Sequence, residues 1–477
     1  MKKSLCIFIA ACCCTAVCHA QMRAMTDERI ELTSIVFRLA GMHEFVNDDV
    51  YAYTRTIDEY FEGYREHELI QYVRQLREEQ RIAYAAAAGS ATKLRITENG
   101  VALHPGLTYA DAAQDRRWTE ETFARYVALL DDFYRTSGFR AFFEANEALY
   151  AAAAGELNAL LSEIDTRWFP SFFGEEFVAP NVYAAMANGR NNYIVEDPSS
   201  AAGYGIVIGC TGNGSGMPQL SDSVLPTIVH EICHFYTEPI FQTYWKAMEP
   251  AADILYPSIR EQMRRNAYGS AQETTVEWLN NLFKIMYFKE NPNSRHPARF
   301  LVTLDAERGF IWMQRAFLFM DNFYRNRDTY AYIGDYMPRI VDFLNHTAAD
   351  LETVLQEYNA RNPYIIEVFP APGDLSDVAD SFDEVRITFS VPMGTHAYAY
   401  NNIKDSEYPI LPVRAAYWED ARTFVLKIDS RNFEPGRTYG VRLNRYYFVD
   451  QWNHPLRESV DYLYTTALPN GDTEKGA

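Results

Sequence analysis

The stretch TIVHEICHFY, residues 227–236, places two histidines four positions apart, with a glutamate directly after the first. On an α-helix, residues four apart share a face, so His230 and His234 can present their imidazole nitrogens to one ion. Glu231 lies one step around the helix and would border that ion without binding it. Zinc-activated water chemistry requires neutral nitrogen ligands, an open coordination position and a base beside it. The stretch therefore predicts a zinc site with His230 and His234 as ligands and Glu231 as general base.

The flanks of the motif favour a buried helix. A helix that packs under a sheet needs uncharged positions around its motif, and five are present: 228, 229, 232, 233 and 235. Ser223 can cap the helix, and Pro226 falls in its first turn, where a missing N–H costs little. The alternative is an amphipathic helix that carries two core histidines.

A catalytic zinc site needs a third protein ligand. A histidine six residues after the second one is excluded, because Thr237 and Ile240 occupy the positions that such a pattern gives to glycine and histidine. The apolar spacing of residues 268–288 predicts another helix, on which Glu273 and Glu277 share a face. Glu277 lies between apolar neighbours, where an unpaired carboxylate is expensive to bury. We therefore predict Glu277 as the third ligand and keep Glu273 as the second choice.

Composition limits the classes of function. The chain has 477 residues, of which 48% are hydrophobic and 23% charged, as expected for a globular protein of two or three domains. Its net charge of −20 argues against a nucleic-acid partner, because phosphate binding needs a basic surface. After the N-terminal segment no run is long and apolar enough to span a bilayer. We therefore expect no nucleic-acid partner and no transmembrane segment.

The N-terminal segment MKKSLCIFIAACCCTAVCHA, residues 1–20, has two lysines, a short apolar run and a small-residue end. This pattern predicts a signal peptide cleaved after Ala20, and hence a secreted, periplasmic or cell-envelope protein. A lipoprotein anchored at Cys12 is the alternative. Removal of the segment leaves Cys210 and Cys233, for which a disulfide bond and two buried thiols are equally open.

The pattern of periodicity changes along the chain. Residues 26–170 read as helical, and β-rich runs between 175 and 210 predict a small sheet. Within them the apolar run YGIVIGC, residues 204–210, is either an edge strand on which an extended peptide could pair or an ordinary core strand. Helices resume over residues 223–360. The predicted fold class is therefore α+β.

Residues 363–468 show short alternating runs with turn residues between them, which predicts an all-β sandwich. The tail 469–477 is predicted to be disordered. The predicted organisation is thus the signal peptide 1–20, a mixed domain over 21–362, the sandwich over 363–468 and the tail.

The motif HEICH with a downstream glutamate resembles the gluzincin group of zinc metallopeptidases. Together with DERIELTSIVFRLAG (27–41) and YGSAQETTVEWLNN (268–281), it is similar to one secreted bacterial family of unknown function within that group. The resemblance covers roughly residues 26–350. It implies a zincin-like fold with one zinc ion and the hydrolysis of peptide bonds in a peptide or protein substrate. His230, His234 and Glu277 would be the ligands and Glu231 the base, although Val276 stands where that family usually has asparagine.

The C-terminal region resembles the bacterial Ig-like domain of surface-layer and secreted proteins. The similarity rests on VFPAPGD (368–374), VRITFSVPM (385–393), FEPGRTYGVRL (433–443) and DQWNHPL (450–456), where Trp452 stands in place of a frequent glycine. Such a module would position or attach a catalytic domain, or contact surface glycan or protein. The competing hypothesis for the whole chain is a non-catalytic envelope or adhesion protein with a structural or vestigial metal site.

Overall fold

The computed structural model describes residues 22–46, 50–113, 115, 117–213, 215–221, 223–293, 295–375, 382–395, 398–403 and 407–467. The predicted signal peptide with Cys12 and the predicted tail 469–477 lie outside these residues. The chain divides into two compact units, one of residues up to 236 with 331–334, the other of 237–330 with 335 onward. The predicted α+β class is confirmed. Within the described part of the chain, no helix has the length and apolar character needed to cross a bilayer.

The first unit combines helices with short strands. Its helices are α1 (Glu28–Leu39), α2 (Tyr51–Tyr60), α3 (Glu68–Gln80), α4 (Ala85–Thr92), α5 (Tyr109–Ala112), α6 (Glu120–Thr136), α7 (Phe139–Ala145), α8 (Glu147–Leu161) and α9 (Trp168–Phe173). Its strands are β1 (Ala24–Met25), β2 (Leu94–Thr97), β3 (Gly100–Leu103), β4 (Asn181–Ala185), β5 (Asn192–Glu196), β6 (Tyr204–Gly209), β7 (Thr211–Gly212) and β8 (Pro218–Gln219). The long helix α10 (Val224–Arg265) follows.

The purely helical interpretation of residues 26–170 is wrong in one segment, where β2 and β3 form an antiparallel hairpin. Gly100 begins β3 with a φ of +114°, a conformation that favours glycine. Asp131 on α6 accepts a hydrogen bond of 2.7 Å from the Val101 backbone N–H and so ties the hairpin to the helix. The strong helical periodicity on both sides concealed two strands of four residues each.

The main sheet of the first unit has the strand order β1–β4–β6–β5. β4 and β6 are parallel, whereas β5 runs antiparallel to β6. All six residues of β6 are buried, as expected for an internal strand that is covered on both faces. The core-strand alternative for residues 204–210 is therefore correct, and the edge-strand alternative is wrong. Among the described residues β5 forms that edge.

Glu31 on α1 is a fully buried carboxyl group, with 0% of its surface exposed. It accepts hydrogen bonds from the Met186 backbone N–H at 2.6 Å and from the Tyr53 hydroxyl at 2.7 Å. The Tyr53 hydroxyl also lies 2.7 Å from the hydroxyl of Tyr150. The cluster links α1, α2 and α8 to the end of β4. Burial raises the pKa of Glu31 to about 7, although these hydrogen bonds oppose the shift.

Replacement of Glu31 by glutamine should flatten the pH dependence of stability. A carboxyl group whose pKa rises from 4.5 to about 7 on folding binds more protons in the folded state across that interval. Its contribution, on the order of 3 kcal/mol, is complete below the unfolded-state pKa and is lost as the pH rises through the folded-state pKa. The free energy of unfolding of the wild type, measured with urea, should therefore be lower at about pH 7.5 than at about pH 5. Glu31→Gln should lose much of that difference.

The matched control is Glu156→Gln, which changes an exposed glutamate on α8. This variant should follow the wild-type pH profile. A Glu31→Gln profile parallel to that of wild type would contradict the assignment of the pH dependence to Glu31.

The second unit begins with helices and ends with sheets. Its helices after α10 are α11 (Ala271–Glu290), α12 (Ala298–Glu307), α13 (Met313–Phe319), α14 (Asp321–Arg325), α15 (Ile333–Ala349), whose first two residues belong to the first unit, and α16 (Leu351–Ala360). Its strands are β9 (Ile365–Phe369), β10 (Gly373–Asp374), β11 (Glu384–Phe389), β12 (Tyr400–Asn401), β13 (Val413–Trp418), β14 (Thr423–Ile428), β15 (Thr438–Leu443) and β16 (Val460–Thr465).

The C-terminal strands form two sheets, with the orders β13–β14–β11–β9 and β10–β16–β15–β12. Their inward side chains share one core, which includes Val385, Phe389, Phe424, Val441 and Tyr464. The chain changes sheets between β9, which pairs with β11, and β10, which pairs with β16. α16 ends and β9 begins on either side of the predicted boundary between residues 362 and 363.

The loop before β16 fastens these sheets to the helices of the same unit. The Thr303 hydroxyl on α12 donates a hydrogen bond to the Trp452 carbonyl oxygen. The Arg299 guanidinium lies 4.9 Å from the centre of the Trp452 ring and donates a hydrogen bond of 2.8 Å to Gln451. Phe317 on α13 contacts the same indole edge-on, with ring centres 5.9 Å apart. Trp452, which stands where the Ig-like domains that this region resembles often have glycine, therefore docks the C-terminal sheets on these helices.

The two cysteines outside the predicted signal peptide, Cys210 and Cys233, are both buried, and no disulfide bond joins them. The disulfide alternative is therefore wrong. Burial raises the pKa of the Cys210 thiol to about 12, so this thiol stays protonated at neutral pH.

Candidate metal centre

The HEICH motif lies near the start of α10, a helix of 42 residues. Four of the five uncharged flank positions are buried, and Ile228, Val229 and Ile232 among them are fully covered, whereas Phe235 is 37% exposed. His230 and Glu231 are half-buried, and 8% of the surface of His234 is exposed. The helix thus buries its apolar face while the motif keeps partial access to solvent.

The two histidine side chains converge on one point. Their Nε2 atoms are 3.1 Å apart, and the ring planes are nearly perpendicular at 86°. Two nitrogens that each lie about 2.1 Å from one tetrahedral ion are separated by about 3.4 Å. The Nε2 separation is close to that value, so the pair has suitable geometry for two ligands of one zinc ion.

The other sequence-predicted ligands lie on α11, in its first two turns. Ser270 caps this helix by accepting a hydrogen bond of 3.1 Å from the Glu273 backbone N–H. The Glu273 carboxylate in turn accepts a hydrogen bond of 2.7 Å from the Gly269 backbone N–H. Glu273 therefore serves the start of its own helix.

Glu277, one turn further along α11, is half-buried and accepts a hydrogen bond of 3.2 Å on Oε2 from the Tyr268 hydroxyl. Burial raises the pKa of Tyr268, and the negative charge of Glu277 raises it further. Tyr268 is a site neighbour that the sequence analysis missed. No spacing rule points to it, and tyrosine is common in this chain, with 33 residues.

One ligand atom each from His230, His234 and Glu277 can be chosen so that all three lie within 4.8 Å of one another. These are the three side chains that the sequence predicted as ligands, and Glu273 is not among them. Two imidazole nitrogens and one carboxylate oxygen form a donor set of catalytic zinc sites, which leave a fourth position for water or substrate. The residues present therefore fit a zinc ion.

The predicted base Glu231 lies near the beginning of β6. Burial raises the pKa of Tyr204, the first residue of β6, and the nearby charge of Glu231 contributes to the increase. The Tyr204 ring also stacks on Phe235 of α10, with ring centres 5.3 Å apart. These contacts locate the motif on the β6 side of α10. The sequence analysis did not identify Tyr204 as a neighbour of the site.

A buried ion pair fixes α11 within its unit. Lys284 donates hydrogen bonds to Asp305 at 2.8 Å and to Asn281 at 2.6 Å, and the side chains of Lys284 and Asp305 are 6% and 1% exposed. Asn281 donates a hydrogen bond of 2.8 Å to the Glu277 carbonyl oxygen. The ion pair thus holds the backbone that carries Glu277. Loss of either Lys284 or Asp305 would leave the charge of the other one buried without its partner.

The comparisons with known proteins give one family. A family model described as a domain of unknown function (DUF4932) matches residues 24–343, more than half of the chain, and this span includes the residues of the candidate site. No match was found among the curated proteins. Among solved structures, the crystal structure of the N-terminal part of the bacterial S-layer protein SbsC is 17% identical with a TM-score of 0.17. That match covers 52% of this chain and 58% of the SbsC chain, so it spans less than two thirds of that structure.

Proposed function

We propose that this chain, which belongs to the DUF4932 family of unknown function, is a gluzincin-type zinc metallopeptidase that hydrolyses peptide bonds. The observation that carries the proposal is the placement of His230, His234 and Glu277 with ligand atoms within 4.8 Å of one another. The nearby carboxylate of Glu231, which directly follows the first ligand in the sequence, adds the base that such chemistry requires.

The three proposed ligands would bind the ion through two kinds of donor atom. His230 and His234 each offer a neutral Nε2 atom, and Glu277 offers a negatively charged oxygen. A zinc ion bound there would act as a Lewis acid and lower the pKa of a bound water to about 7. His230 and Glu231 are half-buried, so both keep the access to solvent that the substrate and the attacking water would need.

Glu231 carries the proton transfers. Its carboxylate accepts a proton from the attacking water while the water oxygen forms a bond to the scissile carbonyl carbon. The C–N bond then breaks, and Glu231 delivers the proton to the leaving nitrogen. The products are a carboxylic acid and an amine, and Glu231 returns to its carboxylate form.

The edge of the main sheet supplies a surface for an extended substrate. β5 pairs with β6 on one side, and alternate backbone N–H and C=O groups on its other side point away from that ladder. A peptide in the extended conformation can pair with such an edge as an added strand. Ile194, which is 36% exposed, lies on this strand. A peptide or protein substrate therefore suits this sheet.

We also propose a fold for each of the two parts of the chain. The mixed sheet with its antiparallel edge strand followed by the motif helix supports a zincin-like domain over residues 21–362. The two C-terminal sheets and the change of sheet between β9 and β10 support an Ig-like sandwich over 363–468. This sandwich would position the catalytic part or attach it to the cell envelope. The sequence of residues 1–20 supports secretion.

Metal analysis and a hydrolysis assay test the proposal. The full chain without its first 20 residues, purified without chelator, should contain about one zinc ion per molecule. It should cleave an unfolded protein such as casein. Removal of zinc by 1,10-phenanthroline should abolish cleavage, and added zinc should restore it.

The competing function makes a different prediction in the same experiment. Absence of near-stoichiometric zinc, or zinc without hydrolysis of any peptide in a diverse library, would favour the non-catalytic envelope-binding protein. The specific observation behind that alternative is the exposure of Phe369 on β9 and of Tyr446 between β15 and β16, 64% and 70%. Large exposed aromatic side chains of this kind are common at binding surfaces.

A further inference from the structure

The turn between α10 and α11 directs the side chain of Tyr268 back towards α11. Ala267 in this turn has a φ of +68°, in the left-handed region that residues with a Cβ atom rarely adopt. The Tyr268 backbone N–H, next along the chain, donates a hydrogen bond of 2.9 Å to the Met263 carbonyl oxygen. A left-handed residue followed by such a bond is a common way to end a helix, and here it sets the direction in which the chain leaves α10 at Tyr268.

Tyr268 reaches Glu277 from this turn. Its ring lies near Phe310, with centres 6.2 Å apart, and its hydroxyl donates the 3.2 Å hydrogen bond to Glu277 Oε2. The Lys284–Asp305 ion pair and Asn281 hold the backbone of α11. The contact from Tyr268 acts instead on the carboxylate itself, and so restricts how the two oxygens of Glu277 can turn.

We propose that Tyr268 is a positioning residue for the metal ligand Glu277. By bonding Oε2, its hydroxyl would keep the carboxylate in the orientation that brings it within reach of His230 and His234. This inference rests on the proposed zinc site. Hydrogen-bond partners of metal ligands commonly contribute about 10- to 100-fold to metal affinity, because they order the ligand before the metal arrives.

The variant that isolates this effect is Tyr268→Phe, which removes the hydroxyl and keeps the ring. Zinc affinity of the full chain, measured by competition with a chromophoric chelator, should fall by about 10- to 100-fold. The thermal stability of the zinc-free protein should stay close to that of wild type. Zinc affinity is measured without substrate, so the result does not depend on activity.

The chain offers a matched control on the same helix. The Tyr324 hydroxyl donates a hydrogen bond of 2.7 Å to Glu290, the last residue of α11. Tyr324→Phe therefore removes the same kind of contact between a tyrosine and a glutamate, away from the candidate ligands. This variant should leave the zinc affinity unchanged.

Several results would overturn the positioning role. These are equal zinc affinity in Tyr268→Phe and wild type, or an equal loss in Tyr324→Phe. A third is unchanged affinity with a reduced kcat, which would mean that Tyr268 acts on the substrate instead. Failure of the proposed function looks different, because then the wild-type chain itself binds no zinc.

Discussion

Replacement of Glu231 by glutamine should lower peptide hydrolysis by about 10²- to 10⁴-fold, the usual contribution of a general acid–base group. Zinc content should remain that of wild type, because the proposed ligands are His230, His234 and Glu277. Glutamine has nearly the same shape as glutamate but cannot accept and return a proton at neutral pH. The loss should therefore appear in kcat, with substrate binding little changed.

The control for this variant lies on the same helix. Glu249→Gln changes an exposed glutamate of α10, and it should retain both zinc and activity. Wild-type activity in Glu231→Gln would refute the proposed mechanism. Loss of zinc in that variant would identify Glu231 as a ligand instead of the base.

Replacement of Glu277 by glutamine should weaken zinc binding by more than about 100-fold, beyond the effect expected for a hydrogen-bond partner of a ligand. The substitution replaces the charged carboxylate oxygen of Glu277 with a neutral amide oxygen. A hard anionic oxygen binds a divalent cation more strongly than a neutral one. Hydrolysis should fall in parallel at limiting zinc. Excess zinc should recover part of the activity, because Glu231 remains in place.

Glu273→Gln is the matched control, since Glu273 lies on the same helix four residues earlier. Its carboxylate bonds the Gly269 backbone N–H, and a glutamine side chain can accept the same hydrogen bond. Zinc affinity should therefore be unchanged in this variant. The reverse pattern, with loss in Glu273→Gln and retention in Glu277→Gln, would exchange the roles of the two glutamates.

The contrast between these glutamates shows where sequence reasoning reaches its limit. Both lie on one face of α11, so helical spacing alone gives them equal access to an ion. Local chemistry separates them: Glu273 follows the cap residue Ser270 by three positions and is drawn back to the helix start. Glu277 lies beyond the reach of that cap. The apolar neighbours of Glu277 pointed to the glutamate that lies near the two histidines, although they describe burial and not its partner.

Strand order was hidden for a different reason. The run 204–210 is apolar at nearly every position, which predicts a buried strand but does not say which strands flank it. β5 is the edge because the chain turns back between β5 and β6, which form an antiparallel pair, and β6 then takes β4 as its parallel neighbour on the other side. Likewise the sequence marked Trp452 as a departure from glycine, while its role needed Thr303 and Arg299 from α12.

By itself the sequence determined the features that depend on short range: the helical spacing of His230 and His234, the position of Glu231 between them, and the α+β class. Helix geometry repeats every few residues, so local order is enough to fix these. Only the tertiary structure decided the placement of Glu277 within 4.8 Å of the histidines, the contact from Tyr268 and the burial of Glu31. Each depends on contacts between segments that are distant in sequence, or on the turn that carries Tyr268. Packing, and not periodicity, sets which side chains meet.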